Sequence, residues 1–450
     1  MESIAAINDL RVKVNNRHIL SIALPITLAI FIPQLNMLIN SIFLGHLSNE
    51  ALGNAGITGV FYLIFAVAGN GLNNAMQTVF SKYAGSGESN MFKTILTQGI
   101  RISVQFAIVC IAFTWLIAPF IMQQVANAAS YPAEMSFIRI RILGLPFLYL
   151  FQMGNAFLVA SLNSRFLMIG FIVEAFVNVL FDYLLIFGKF GFPQMGFNGA
   201  AVASVIAEFT GSIVVYLVLI KTGLRSRYQL LQHYKYDRAT SKEIFKVSVP
   251  LVLQYIISVT TWLIFFLLIE SKGTVAKAIS NVMRNVFGLV GVFVWAFAST
   301  SNVMVSNLMG QRRYEDVMLV IKRIMYWSVG LCSFMCLLLN VFPRSFFELF
   351  GQGENFLAEG IPVVRVVSLG LVLMSIANIW LNGVTGTGKT KMNLLIEIVA
   401  ITLYLVYTWI FMKVHYISLA MAWSNEFIYW TSIFLIAFFF LKSGKWKPAN

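Results

Sequence analysis

Long apolar runs restrict the fold of this chain more than any other feature of its sequence. A membrane-spanning helix needs about 20 mostly apolar residues, and twelve runs meet that requirement. Their expected bounds are 19–43, 54–79, 97–122, 138–160, 168–187, 198–220, 247–269, 278–303, 323–343, 361–383, 393–413 and 418–441. Lipid offers no hydrogen-bond partner to the backbone, so each run is expected to be a helix. The chain is therefore predicted to be an all-α integral membrane protein with twelve transmembrane helices.

The distribution of Lys and Arg predicts how these spans are oriented. The loops 44–53 and 123–137 contain no Lys or Arg, and 188–197 contains only Lys189, although 270–277 contains two lysines. The N-terminus, the segment 221–246 and the C-terminal tail are rich in Lys and Arg, which is typical of cytoplasmic segments. We expect both termini on the cytoplasmic side of the cell (inner) membrane. The net charge of +14 is explained by this topology, so no nucleic-acid partner is expected.

An internal repeat divides the spans into two sets of six. Pro25 matches Pro250, Leu28 matches Leu253, and the same offset joins residues as far along as Gly85 and Gly310. The expected organisation is a cytoplasmic N-terminus 1–18, an N-lobe 19–220, a cytoplasmic linker 221–246, a C-lobe 247–441 and a cytoplasmic tail 442–450. Two pseudo-symmetric lobes with a central cavity suit transport by alternating access. The first apolar run is too long for a cleavable signal peptide.

Several short motifs, in this order and spacing, resemble one transporter family. They are Pro25 to Asn40 followed by Phe43-Leu44-Gly45-His46-Leu47, Asn178 to Asp182 ending at Gly188, the run Gly199 to Ser204, the loops at Gly85 and Gly310, and the turn Gly386 to Thr390. The chain resembles the multidrug and toxic compound extrusion (MATE) transporters over nearly its whole length. The resemblance implies a V-shaped pair of lobes that exports amphipathic, often cationic compounds in exchange for protons or sodium.

The resemblance also implies a cation-coupling site in the N-lobe. Asn178, Asp182 and Ser204 match family positions on the fifth and sixth spans, whereas Asn40 stands where the family has an aspartate on the first span. A second family branch has acidic residues in the C-lobe, and Ser258 and Met374 stand at those positions here. Coupling through the C-lobe is therefore disfavoured.

The spacing of the polar residues supports a pocket in the N-lobe. Glu174, Asn178 and Asp182 are spaced i, i+4, i+8 and share one helix face, and Ser204 and Glu208 share another by i, i+4. Ionisable groups at mid-bilayer cost about 2.5–3.5 kcal/mol on insertion scales and are usually functional. We expect Asp182 to be the coupling carboxylate, with Glu174 and Glu208 as a candidate proton path. The alternative is that Asp182 only packs helices through a hydrogen bond to Asn178 or Ser204.

The coupling ion and the substrate contacts follow less directly from the residues. A site at Asp182 and Asn178 leaves sodium open, but a single carboxylate favours protons. No other cofactor is expected. Gln34, Met37 and Asn73 on the first two spans are candidate substrate-cavity residues. The expected partners are a small amphipathic or cationic compound and membrane lipid. The protein is expected to be a monomer. In the C-lobe, Arg284 is expected to pair with Glu397 or Glu426.

Two other functions are alternatives to the exporter. A flippase for a lipid-linked oligosaccharide shares the two-lobe architecture but needs several cationic cavity residues, and only Arg284, Arg139, Arg141 and Arg365 are available. An integral-membrane transferase needs clustered His, Asp or Glu residues at the membrane surface, which these short loops do not supply. The chain is therefore not expected to be an enzyme.

Overall fold

The computed structural model describes residues 10–125, 129–270, 272–348, 354–410 and 418–448, and all regular structure in these residues is helical. The helices are α1 Asn16–Leu47, α2 Asn49–Ser86, α3 Phe92–Leu116, α4 Ala118–Val125, α5 Tyr131–Arg141, α6 Leu145–Ala160, α7 Leu167–Phe187, α8 Phe197–Lys221, α9 Leu224–Arg227, α10 Arg238–Glu270, α11 Thr274–Gly310, α12 Asp316–Val341, α13 Pro343–Glu348, α14 Glu354–Gly386, α15 Thr390–Trp409, α16 Leu419–Trp423 and α17 Asn425–Lys442.

Twelve stretches of these helices are long and apolar enough to cross a membrane. Each corresponds to one of the twelve predicted runs, so the predicted fold class is confirmed. The fourth stretch, Tyr131–Ala160, joins α5 and α6 through the 3-10 turn Ile142–Gly144. Several helices continue past the apolar runs, as α2 does to Ser86 and α11 to Gly310. The predicted end of the eleventh span at 413 lies outside the described residues.

Two predicted boundaries are wrong for local reasons. The run 97–122 comprises two helices, because Pro119 lacks a backbone N–H and fits only the first turn of α4. The predicted loop 44–53 is almost entirely helical, with only Ser48 between α1 and α2. The Ser48 hydroxyl accepts a hydrogen bond from the backbone N–H of Ala51 at 3.0 Å. The polar residues of this segment are therefore a helix cap and a first turn rather than a loop.

One compact unit comprises Leu28–Val252. Phe80, Phe92 and Phe157 meet edge-to-face with ring centroids 5.5–5.7 Å apart, and Tyr228 lies 5.2 Å from the Phe92 ring. The segment after α9 is held against α3, since Gln98 Nε2 donates to the Lys235 carbonyl at 2.9 Å. The basic linker is thus packed onto this unit through its backbone.

The other compact unit comprises Met1–Thr27 and Leu253–Asn450. Its core surrounds Trp423, whose ring lies 5.2 Å from Phe265 and 5.8 Å from Phe287 and whose Nε1 donates to Ser280 Oγ at 3.2 Å. Pro250, at the repeat position of Pro25, lies inside α10, in the part of that helix that belongs to the unit Leu28–Val252. The lobe boundaries at 19–220 and 247–441, the linker 221–246 and the two cytoplasmic ends stay predictions.

Candidate cation-coupling site

The predicted polar face of α7 is present and turned inward. Asn178 and Asp182 are buried, with 3% and 0% of their surfaces exposed, and Glu174 one turn earlier is half-buried. The helix ends at Gly188, which adopts a left-handed conformation at φ 65° and stops the helix six residues after Asp182. The carboxylate therefore lies within the apolar length of the span rather than at its end.

A seam of small residues on α8 faces this polar stripe. Gly199, Ala203, Ala207 and Gly211 recur every four residues and are all buried. A Cβ at Gly199 would lie 2.8 Å from the Leu185 carbonyl, and one at Gly211 would lie 3.1 Å from Glu174 Cβ. These two contacts fix an antiparallel register.

That register determines what surrounds the polar stripe. Counting residues between these two contacts puts Ala203 level with Asp182 and Ala207 level with Asn178 along the helix pair. Small residues allow the two helix backbones to approach closely, and their methyl groups offer no hydrogen bond. The seam therefore buries Asp182 without providing it a partner.

Two amides of α1 complete the site from the opposite direction. Asn36 Nδ2 donates to Asn178 Oδ1 at 2.6 Å, and Asn40 Nδ2 donates to the same oxygen at 3.2 Å. The structure thus brings Asn40 to Asn178, two residues that the family resemblance assigned to one site, and adds Asn36. The remaining amide atoms, Asn36 Oδ1, Asn40 Oδ1 and Asn178 Nδ2, are buried without a partner among the described residues.

Asp182 has a more unusual environment than any of these amides. Neither of its carboxylate oxygens has a hydrogen-bond partner among the described residues. The alternative in which Asp182 packs helices through a bond to Asn178 or Ser204 is therefore not what the structure contains. Ser204 is half-buried on α8 and makes no hydrogen bond to Asp182.

Glu208, a candidate for the proton path, lies in a separate ionic cluster. Arg141 Nη1 and Nη2 donate to its two oxygens at 2.8 and 2.6 Å, and the Tyr62 hydroxyl donates to Oε1 at 2.9 Å. The Arg141 guanidinium also stacks over the Tyr62 ring at 3.7 Å. Gly144 makes room for the carboxylate, since any side chain there would meet Glu208 Oε2. Glu208 is thus a charge-neutralised, fully bonded group, whereas Glu174 Oε2 is buried without a partner.

The candidate substrate-cavity residues occupy α1 and α2 of the same unit. Met37 is 51% exposed, Gln34 is half-buried, and half-buried Asn73 accepts a hydrogen bond from Gln77 Nε2 at 3.4 Å. Their role as substrate contacts stays a prediction.

Sequence reasoning missed Asn36 and underestimated Arg141. Asn36 precedes Asn40 by four residues, so an i, i+4 search of α1 would have found it. Arg141 lies near one end of the predicted span 138–160, but α5 and α6 continue as one apolar stretch around it. The every-fourth-residue pattern from Gly199 to Gly211 was also present in the sequence and signals close helix packing.

The buried carboxylates of the other unit have partners. Tyr429 Oη donates to Glu397 Oε1 at 2.5 Å and Gln254 Nε2 donates to Oε2 at 3.3 Å, while Trp430 Nε1 donates to Glu426 at 2.8 Å. Ser258 contacts the Tyr429 hydroxyl at 3.0 Å. The expected pairing of Arg284 with Glu397 or Glu426 is wrong, since Arg284 is exposed on α11 and the acids bond to aromatic and amide donors instead.

Twelve apolar helices with buried carboxylates in both compact units define a multi-pass membrane protein. Comparison with known proteins identifies its class. The family model described as MatE matches residues 25–184 and 250–410, so the chain belongs to the MatE family. The two matches begin at Pro25 and Pro250, the same offset that the internal repeat has. The chain is therefore a membrane transporter and not an enzyme.

Individual relatives agree with this membership. A protein of Thermotoga maritima described as a probable multidrug resistance protein NorM is 23% identical over 442 residues, which cover 96% of this chain and 93% of the relative. A solved structure of MATE in complex with MaD3S superimposes with a TM-score of 0.86 at 15% identity, covering 96% of this chain and 97% of that one.

A third similar protein is a MOP superfamily transporter from Pyrococcus furiosus, described as having a reversed polarity of its binding pocket. It superimposes with a TM-score of 0.83 at 15% identity, covering 97% of this chain and 96% of that one. At these identities the solved structures establish the fold.

Proposed function

We propose that this chain is a secondary antiporter that exports amphipathic, cationic organic compounds in exchange for protons. It acts as a monomer in the cell (inner) membrane, with both termini in the cytoplasm. Membership of the MatE family and the description of the Thermotoga maritima relative as a probable multidrug resistance protein support the class of substrate. The basic residues of the linker and the two ends support the orientation.

The observation that carries the coupling mechanism is the buried, unpartnered carboxylate of Asp182. A structural carboxylate inside a membrane is normally paired or fully hydrogen-bonded, because an isolated buried charge is costly. Glu208 and Glu397 are examples of such satisfied groups. Asp182 has no such partner among the described residues. Its carboxylate can therefore take up or release a proton without breaking a hydrogen bond or an ion pair, as a paired acid would have to.

The neighbouring amides give this proton step its geometry. Asn178 Oδ1 accepts from Asn36 and Asn40, which fixes the Asn178 side chain and leaves its Nδ2 group without a partner, one helical turn from Asp182. When Asp182 is ionised, this N–H is a donor for the carboxylate. When Asp182 takes up a proton from the outside, the site becomes neutral, and release of that proton to the cytoplasm restores the negative charge that attracts a cationic substrate.

Protons are favoured over sodium by the use of the Asn178 oxygen. Sodium needs several oxygen ligands and a negative site, but Asn178 Oδ1 already accepts two amide hydrogen bonds. A sodium site at Asp182 and Asn178 would have to break both bonds. Sodium coupling therefore stands as the alternative that transport measurements decide.

The flippase alternative is disfavoured by the state of Arg141. An anionic lipid-linked sugar would need free cationic side chains in the cavity, and Arg141 is neutralised by two hydrogen bonds to Glu208. The same pairing would have to be broken before Arg141 could bind a phosphate.

Counter-transport in proteoliposomes tests this function. Vesicles containing the protein receive a fluorescent organic cation, and an inward proton gradient or an inward sodium gradient is imposed separately. The proposal predicts movement of the cation that depends on the proton gradient. Movement under the sodium gradient alone would assign sodium as the coupling ion. No movement under either gradient, from protein that is shown to be folded, would contradict the antiporter.

A further inference from the structure

A groove opens beside the first turn of α1 and the early turns of α12. Its volume is about 460 Å³, and it is lined by Asn16, Arg323, Tyr326 and Trp327. Arg323, Tyr326 and Trp327 are spaced i, i+3, i+4 and therefore share one face of α12. All four residues belong to the compact unit of Met1–Thr27 and Leu253–Asn450.

The N-terminal segment holds Arg323 at this groove. Arg323 Nη1 donates to the Val14 carbonyl at 2.7 Å. The segment is itself fixed to α11, because the Val12 N–H donates to Asn307 Oδ1 at 3.0 Å and Asn307 Nδ2 donates to the Leu10 carbonyl at 2.9 Å. A guanidinium has five N–H donors, and the bond to Val14 uses one of them. The cation is therefore pre-oriented but far from saturated by that bond.

The surroundings of the groove are strongly positive. Arg17 follows the lining residue Asn16 directly, Lys13 precedes it by three residues, and both are exposed. The acidic residues at the start of α12 are engaged elsewhere: Asp316 bonds to Arg313 at 2.7 Å, and Glu315 pairs with Lys447 at 2.6 Å. No carboxylate among these residues is left to neutralise Arg323, so the groove suits an anion.

The aromatic wall distinguishes a lipid from a soluble anion. Trp and Tyr are enriched where a membrane meets water, with their rings at the level of the headgroups. Tyr326 is 68% exposed and Trp327 is half-buried beside Arg323. A phosphate attached to a glycerol and acyl chains would contact both the cation and these rings, whereas free phosphate would contact the cation alone.

We propose that this groove binds the phosphate headgroup of an anionic phospholipid. Arg323 contacts the phosphate, Lys13 and Arg17 add electrostatic attraction, and Tyr326 and Trp327 pack against the glycerol and the upper acyl chains. This site is separate from Asp182 and does not depend on the transported compound or the coupling ion.

Thermal unfolding of the full chain in neutral detergent tests the proposal. The midpoint is followed during titration with dioctanoyl phosphatidylglycerol, with dioctanoyl phosphatidylcholine and with glycerol 3-phosphate. We expect phosphatidylglycerol to raise the midpoint of the wild type. Arg323→Ala should need about fivefold more of this lipid, because one cation near a membrane surface contributes about the free energy of a fivefold change in affinity. Lys322→Ala removes the same charge from outside the groove and should behave like the wild type.

Equal weakening in Arg323→Ala and Lys322→Ala would overturn the proposal, because the effect would then come from diffuse positive charge. Protection by glycerol 3-phosphate at the same concentration as the lipid would also overturn it in favour of a soluble anion. Fluorescence quenching by brominated phosphatidylglycerol provides a second readout that needs no change at Arg323. Trp327→Phe should lose part of the quenching, and quenching equal to that of the wild type would refute the site.

Discussion

Buried carboxylates in this protein differ in their partners more than in their burial. Glu397 receives a phenol and an amide hydrogen bond, and Glu208 receives a bidentate guanidinium and a phenol. Asp182, with no exposed surface, receives none from the described residues. At the scale of the residue, this difference separates carboxylates that stabilise the protein from the one we assign to coupling.

The pairing of Glu208 with Arg141 has a direct consequence for stability. Glu208→Gln leaves a buried guanidinium without its counter-charge, and breaking a buried pair in this way costs about 3–5 kcal/mol. We expect the free energy of unfolding in detergent to fall by that amount. The double variant Arg141→Met/Glu208→Met should recover most of the loss.

Glu315→Gln is the matched control for this prediction, because Glu315 pairs with Lys447 at the surface and is 90% exposed. Exposed pairs contribute only about 0–1 kcal/mol. Losses of similar size in Glu208→Gln and Glu315→Gln would contradict the prediction, because breaking the Arg141 pair would then cost no more than breaking an exposed pair.

Residue types and spacing were enough to predict the α7 face, whereas Asn40 was assigned to the same site only by the family resemblance. The partners of Glu208 were not predictable in the same way, because Arg141 lies 67 residues away in the chain, on another helix. The lack of a hydrogen-bond partner for Asp182 among the described residues also depends on the register between α7 and α8. This register determines which α8 residue lies beside each α7 side chain. A single sequence does not specify that register directly.

At the scale of the element, the α7–α8 contact depends on the absence of side chains. A Cβ at Gly199 would meet the Leu185 backbone at 2.8 Å, and backbone cannot rotate away as a side chain can. We expect Gly199→Ala to separate the two helices and to destabilise the protein by about 1–3 kcal/mol, measured by unfolding in detergent. Gly59→Ala in α2 is the control, since nothing lies within 4 Å of its Cβ position. It should be neutral or stabilising by about 0.5–1 kcal/mol, and equal losses in both variants would contradict the close contact.

The start of α10 shows a pH-dependent cap. Asp237 Oδ1 accepts a hydrogen bond from the Thr240 N–H at 2.6 Å, and this bond lowers the pKa of the Asp237 carboxyl. A lowered pKa means that the cap stabilises the folded state above the unfolded pKa, near 3.9, and that the contribution is lost as pH falls through the folded pKa.

We therefore expect Asp237→Ala to lose about 0.5–2 kcal/mol at neutral pH, measured by unfolding between pH 3 and 7. Asp237→Asn should keep the cap and lose only the dependence on pH below about 4. A stability of Asp237→Ala equal to that of the wild type at pH 7 would contradict the role of this cap.

Element boundaries were predictable where hydropathy changes and not where capping chemistry decides. The twelve spans follow from apolar length alone, which lipid enforces through backbone hydrogen bonding. The single-residue connection at Ser48 and the division before Pro119 depend on local hydrogen bonds. The presence of polar residues in a sequence does not by itself distinguish a helix cap from a loop.

At the scale of the whole molecule, the basic linker and termini predict the topology. The three cysteines Cys110, Cys332 and Cys336 are buried, so an introduced cysteine has a low background of labelling. We expect Lys189→Cys to react with a membrane-impermeant maleimide in intact cells and Ser226→Cys to react only after permeabilisation. Labelling of Ser226→Cys in intact cells would reverse the proposed orientation.

The most direct test of the central claim compares Asp182→Asn with the wild type in proton-driven efflux. Both proteins are reconstituted in equal amounts, and the movement of a fluorescent cation is followed under an inward proton gradient. Glu397→Gln, a buried carboxyl variant of the other unit, is the control. The coupling role of Asp182 predicts that gradient-driven movement is lost in Asp182→Asn and retained in Glu397→Gln. Proton-driven movement by Asp182→Asn at the wild-type rate would contradict that role.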